Sequence, residues 1–199
     1  MLFVSLLPRT EVRTQILPHP PISGTYRERH YDAVGPCTWV LFDNEEGEEW
    51  VGVFGSEGLA SSSSAVPFGD DVGRTVLVVA RGQGYIVNAV TGALIRKTPW
   101  DYAYPALTVP DRDFVMVADV TEIWATYRDR DVPAIPAEPL FDAGAPNRVA
   151  LDGIVFDQAT PDELTGKVWD MDGWYSFRLR FDSMRAERGP LLSEEWDAY

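Results

Sequence analysis

Short β-prone runs separated by turn residues are the feature that most constrains the fold of this chain. Runs rich in valine, isoleucine and aromatic residues lie at 39–42, 50–54, 76–80, 85–89, 114–118 and 174–181. Glycine, proline, asparagine or aspartate follows most of them, and these residues end strands and form tight turns. Roughly ten or more short strands with little helix predict an all-β, mainly antiparallel fold. A sandwich, a partly closed barrel and an irregular propeller-like stack of sheets all agree with this pattern.

Four local patterns predict how neighbouring strands pair. Residues 39–42 and 50–54 flank an acidic loop and predict a hairpin with a bulge at Gly52. Residues 149–151 and 154–156 flank the turn pair Asp152-Gly153 and predict another hairpin. A third hairpin is predicted where 167–169 and 174–181 enclose residues 170–173, and its second strand alternates apolar and polar residues, which is typical of half burial. The runs 76–80, 85–89 and 93–95 predict a three-strand meander.

The meander carries the one family resemblance in the chain. Its last part, residues 88–94, reads NAVTGAL, and the meander resembles part of one blade of a quinoprotein- or WD-type propeller. The resemblance covers about a tenth of the chain and implies a blade-like sheet there. A closed propeller needs at least about four copies of such a unit. The sequence contains no second copy, so the resemblance implies no cofactor.

The remaining segments predict connections and one helix. A length of 199 residues indicates a single domain over 1–199. Prolines and glycines are dense in residues 8–36, which predicts an irregular wrapping segment, and the serine-rich stretch 55–73 predicts a mobile loop. Asp119 and Glu122 have the spacing of a helix N-terminus, so one short helix is expected after the strand at 114–118.

The charge of the chain restricts its partners. Thirty-one acids against seventeen bases give a formal net charge of −14. This charge repels phosphate backbones and anionic membrane surfaces and attracts basic proteins. No apolar run approaches the roughly 20 residues that cross a bilayer. We therefore expect no nucleic-acid or membrane partner. The oligomeric state stays open.

Few residues are available for familiar catalytic chemistry. The chain has two histidines, His19 and His30, and one cysteine, Cys37, which cannot close an intrachain disulfide and so favours a reducing cytoplasm. No nucleophile elbow, phosphate loop or zinc pattern is present. Acidic loops at 43–49 and 170–173 offer oxygen atoms suited to calcium, but neither has the EF-hand spacing. No catalytic residue, metal or cofactor is predicted, so the sequence favours a protein that is not an enzyme and leaves enzymatic activity open.

Aromatic and acidic residues are the remaining candidates for binding. Rings cluster at 100–104 and carboxylates at 43–49, and both types of side chain contribute to protein interfaces. The predicted binding residues are Trp100, Tyr102, Tyr104, Glu45, Glu46 and Glu48. Alternatively, Trp100 and Tyr102 plug one end of the core.

Recognition of other molecules is the function that these residues favour. We expect a non-catalytic acidic interaction module that binds a basic partner, of which an intracellular immunity protein is one example. A carbohydrate-binding or carbohydrate-active module, with rings that stack on sugars and paired carboxylates, is the alternative. A structural subunit of a larger assembly is a third reading, and it would show a large apolar face.

Overall fold

The computed structural model describes residues 12–43, 48–56, 63–69, 74–100, 106–137, 148–150 and 153–195. These residues form seventeen strands in four mostly antiparallel sheets, and none of the sheets closes into a barrel. The described residues contain no helix, and so no helix among them could cross a bilayer. The predicted all-β, mainly antiparallel fold is confirmed.

Sheet 1 has the strand order β1-β3-β4-β2. Its strands are β1 (Arg13–Leu17), β2 (Arg27–Tyr31), β3 (Cys37–Asp43) and β4 (Glu49–Gly55). The β3–β4 hairpin is confirmed, but its register runs unbroken, so the predicted bulge at Gly52 is wrong. An irregular conformation throughout 8–36 is also wrong, because β1 and β2 lie in this range. The prolines at 18, 20 and 21 fall between these two strands and remove no ladder hydrogen bond from either.

Sheet 2 is a meander of four strands in chain order. They are β5 (Ser63–Phe68), β6 (Thr75–Ala80), β7 (Gln83–Asn88) and β8 (Leu94–Lys97). The predicted three-strand meander is confirmed as β6 to β8. The loop predicted over 55–73 is wrong at β5, whose serines pair with β6 despite their low strand propensity. As an edge strand, β5 also tolerates Pro67.

Sheet 3 has the order β12-β11-β10-β9. Its strands are β9 (Leu107–Thr108), β10 (Phe114–Ala118), β11 (Ile123–Tyr127) and β12 (Asp131–Pro133). The helix predicted after 114–118 is wrong, because β11 occupies that part of the chain. Oδ1 of Asp119 accepts hydrogen bonds from the backbone N–H groups of Thr121 at 2.7 Å and Glu122 at 2.6 Å. The same side-chain contacts that cap a helix here close a turn between two strands.

Sheet 4 has the order β13-β17-β16-β15-β14. Its strands are β13 (Ile135–Pro136), β14 (Gly153–Ala159), β15 (Glu163–Asp170), β16 (Gly173–Arg180) and β17 (Arg185–Ser193). The β15–β16 hairpin is confirmed, and the predicted alternating burial is seen over residues 177–180 of β16. The hairpin predicted from 149–151 and 154–156 is wrong in its described part, because residues 149 and 150 are not in a strand; residues 151 and 152 lie outside the described residues. Val149 and Ala150 donate backbone hydrogen bonds to the Thr121 carbonyl, and β14 pairs with β15.

The four sheets stack in the order of the chain. Even-numbered residues of β6 join an apolar cluster with sheet 1, whereas Leu77 and Val79 join a cluster with sheet 3. In β10, Val115 and Val117 pack toward sheet 2, and the even-numbered residues pack toward sheet 4. Sheets 2 and 3 are therefore buried on both faces, which explains why β6 and β10 are apolar at nearly every position.

Polar side chains hold the layers in place. The Tyr31 hydroxyl donates to the Gly92 carbonyl at 2.6 Å, which ties sheet 1 to the β7–β8 turn. Between sheets 2 and 3, the Arg96 guanidinium donates to both carboxylate oxygens of Asp131, at 2.5 and 3.0 Å, and to the Tyr127 carbonyl at 2.7 Å. Such forked, largely buried contacts fix the relative position of the strands that they join.

Candidate binding surface

The acidic loop predicted at 43–49 is described only at its two ends, where β3 ends and β4 begins. Asp43 at the end of β3 stands directly opposite Glu49 at the start of β4, and Glu48 is exposed beside them. Glu45 and Glu46 lie outside the described residues. Like charges directly opposite each other on paired strands are destabilising. We call Asp43, Glu48 and Glu49 the acidic tip, since these described residues concentrate negative charge at the expense of local stability.

The two opposed carboxylates of the acidic tip, Asp43 and Glu49, form no ion pair with a cation of the described residues. Arg13 on β1 stands opposite Asp43, yet no salt bridge joins Asp43 or Glu49 to a cation within the described ranges. Glu49 is exposed and Asp43 is half-buried. Basic side chains of a partner could therefore pair with Asp43 and Glu49, whose charges are not neutralised by an ion pair within the described residues.

A rigid aromatic base supports the acidic tip. The rings of Phe42 and Trp50 stack with centroids 4.1 Å apart and planes 5° from parallel. Nε1 of Trp50 donates to the Ala89 carbonyl of sheet 2 at 2.7 Å, and the Arg29 guanidinium lies 5.9 Å from the indole centroid. The strand ends that carry Asp43 and Glu49 are thus anchored to the next layer, which lowers the ordering cost of binding.

Trp100 lies in the core between sheets 2 and 3. Its side chain is 4% exposed and belongs to the same apolar cluster as Leu77 and Val115. Its six-membered ring covers the backbone of Gly84, where any side chain would collide with it. Because neither face of this indole is open, Trp100 has the position that the core-plug interpretation predicts. Tyr102 and Tyr104 lie outside the described residues.

A cleft that the sequence did not reveal opens between sheets 2 and 3. It has a volume of about 230 Å³, and its walls include Phe68, Asp113, Tyr127 and Asp129. Burial, and next the nearby Asp113 carboxylate, raises the pKa of Tyr127, while the Arg130 guanidinium lies 4.2 Å from the Tyr127 ring centroid. These residues come from the ends of separate strands, so no spacing along the chain announces the cleft.

The second acidic loop, residues 170–173, uses its carboxylates in local contacts. Asp170 forms an ion pair with Arg188, and Oδ1 of Asp172 accepts a hydrogen bond of 3.0 Å from the Tyr175 hydroxyl. Across the described ranges, no three His, Cys, Asp or Glu side chains are grouped as a metal site requires. His30 instead contacts the Glu28 carboxylate at 3.2 Å.

The described candidate residues do not form one site. Glu48 lies at the acidic tip of sheet 1, whereas Trp100 lies on the far face of sheet 2, so a whole β-layer separates them. Of the two predicted binding features, the acidic tip has exposed described residues, whereas the described part of the aromatic segment, Trp100, is buried. No protein-family model matches this sequence, and a search of curated proteins found none that matches it.

Proposed function

We propose that this protein is a non-catalytic interaction module that binds a basic partner protein through its acidic tip. The observation that carries the proposal is the pair Asp43 and Glu49, two carboxylates held opposite each other with no ion pair to a described cation. The mutual repulsion of these two carboxylates weakens the hairpin. A cationic side chain of a partner would be attracted by both of them and would offset that repulsion.

The overall charge supports the same class of partner. With a net charge of −14, the protein attracts cationic surfaces over a Debye length of about 8 Å at physiological salt and repels nucleic acids. An immunity-type protein that neutralises a basic toxin is one example of such a module. We place it in a reducing cytoplasm, since Cys37 is a free thiol.

The carbohydrate alternative has less support. Sugar binding by aromatic stacking requires an open ring face. Trp100, one of the three predicted rings, is buried between two sheets. The proposed function therefore rests on the carboxylates of the acidic tip and not on the aromatic residues at 100–104.

Neutralising the acidic tip tests the proposal. The test variant combines Asp43→Asn, Glu48→Gln and Glu49→Gln. A control variant of equal net charge combines Asp111→Asn, Asp157→Asn and Glu187→Gln, three exposed carboxylates in the β9–β10 connection, β14 and β17. Tagged proteins are used to capture partners from cell lysate at low and high salt, and each captured protein is quantified by mass spectrometry.

The two variants are expected to behave differently. A basic partner should be captured by the wild type and the control at low salt, and its capture by the tip variant should fall about tenfold. Three weakened charge pairs at about 0.2–1 kcal/mol each account for that factor. Equal losses in both variants would mean that net charge alone drives capture, and absence of any salt-sensitive basic partner would contradict the proposal.

A further inference from the structure

Three exposed apolar side chains lie at one end of sheet 4. Met171 in the β15–β16 turn is 78% exposed, and Leu191 and Leu192 near the end of β17 are 42% and 56% exposed. Leu191 stands opposite Tyr175 in the β16–β17 register, and its Cδ1 covers the backbone of Gly173, two residues after Met171. The three residues lie at the same end of sheet 4, and a group of exposed apolar residues is typical of an interaction site, whereas single ones are ordinary.

The polar members of this surface are fixed in place. The Arg188 guanidinium lies 4.4 Å from the Tyr175 ring centroid and also pairs with the Asp170 carboxylate. The Tyr175 hydroxyl in turn donates to Asp172. Tyrosine and arginine are enriched among the residues that dominate binding energy, and side chains already held in place lose little entropy on binding.

An acidic rim borders the apolar group. Asp172, Glu194 and Glu195 are exposed, and none of them has an ion pair within the described ranges. The hydrogen bond to Asp172 is the main cause that raises the pKa of Tyr175, and the negative charges of Asp172 and Glu194 act in the same direction. The carboxylates of Asp172 and Glu194 therefore lie close enough to the Tyr175 hydroxyl to act on it electrostatically.

We propose that Met171, Asp172, Tyr175, Leu191, Leu192 and Glu194, here called the turn–strand surface, dock an amphipathic basic segment of a partner protein. Apolar side chains of the segment would cover Met171 and the two leucines, and its cations would meet the rim. A second copy of this chain is a poorer occupant, because two acidic rims would then face each other. The inference rests on the proposed function, to which it adds a second contact and the partner's chemistry.

Synthetic peptides test this surface directly. The probe is a twelve-residue peptide that alternates lysine and leucine, compared with a lysine–serine and a glutamate–leucine peptide of equal length. The test variant combines Met171→Asn with Leu192→Ser. Asparagine suits the positive φ of 39° at position 171, so the turn is retained. The control variant combines Ile22→Ser with Val34→Asn, two exposed apolar residues in the connections of sheet 1.

The lysine–leucine peptide is expected to bind the wild type and the control alike and the test variant at least about tenfold more weakly. In methyl NMR spectra, the signals of Leu191 and Leu192 should shift on titration. The lysine–serine peptide should bind weakly, with no difference between the variants. Calorimetry measures the affinities, and circular dichroism confirms that each variant is folded.

Three outcomes would overturn the inference. They are equal affinity of wild type and test variant, methyl shifts confined to other sheets, and concentration-dependent dimerisation that the test variant abolishes, which would assign the surface to a second copy. The acidic-tip variant separates this inference from the proposed function. It should retain lysine–leucine peptide binding within about twofold, because its substitutions lie on sheet 1.

Discussion

Replacing Gly84 by alanine tests whether Trp100 is a core residue or a binding residue. The new Cβ would stand 2.5 Å from Cζ3 of Trp100 and closer still to Cη2. The indole is buried in the apolar cluster between sheets 2 and 3, so displacing it would disturb that packing. Overpacking of this kind costs about 1–3 kcal/mol, whereas removing a glycine from the unfolded chain typically gains about 0.4–1 kcal/mol. The clash dominates, and we expect Gly84→Ala to lower the free energy of unfolding by about 1–2 kcal/mol.

Urea denaturation followed by circular dichroism measures this loss. With a slope of about 2 kcal/mol per molar urea, the midpoint should fall by about 0.5–1 M. The same substitution in a Trp100→Phe background is the control, because phenylalanine lacks Cζ3 and Cη2 and only the close approach of the new Cβ to Oγ1 of Thr98 then remains. Gly84→Ala should cost less there, which gives a coupling energy of about 1 kcal/mol in the double-mutant cycle.

A neutral or stabilising effect of Gly84→Ala would refute this reasoning. An equal cost in both backgrounds would do the same, since it would show that the indole does not fill the space above Gly84. Either result would mean that the Trp100 ring lies elsewhere, and the aromatic connection would regain its place as a candidate for sugar or partner binding.

Two further predictions concern the contacts between layers. Burial raises the pKa of Tyr31 from 10.0 to about 12. The neutral Tyr31 hydroxyl therefore contributes its full stabilisation below pH 10, and the free energy of unfolding should fall by about 2–3 kcal/mol as the pH rises through 12. In a plot of unfolding free energy against pH, Tyr31→Phe should show a smaller decline between pH 10 and 12 than the wild type. Parallel curves for the two proteins would contradict this prediction. Arg96→Lys keeps the charge but loses the forked contact with Asp131, so we expect a loss of about 1–3 kcal/mol. The Tm should fall by about 3–10 °C, and an unchanged Tm would show that the fork contributes nothing.

Local sequence patterns predicted the parts of the fold in which neighbouring segments pair. The β3–β4 hairpin, the β6–β8 meander and the β15–β16 hairpin each join adjacent strands through a short connection, so apolar pattern and turn residues suffice to define them. β5 was missed because its polar residues have low strand propensity and are ordered by pairing with β6. The turn at Asp119 was mistaken for a helix start because both structures use the same side-chain hydrogen bonds.

The candidate surfaces divide in the same way. The acidic tip is visible in the sequence, because its carboxylates are near neighbours along the chain and the strand patterns on either side predict a hairpin there. The cleft beside Tyr127 and the turn–strand surface are not visible, since strand register and sheet packing bring together residues as distant as Gly173 and Leu191.

The sequence by itself determined that this chain forms short strands, carries a large negative charge and lacks a familiar catalytic pattern. Only the tertiary structure decided which side chains are open to a partner. Trp100 shows the difference: its residue type suits an interface and a core equally well, and its burial depends on sheet 3 covering that face of sheet 2. Burial is a property of contacts between distant segments, and no run of neighbouring residues contains that information.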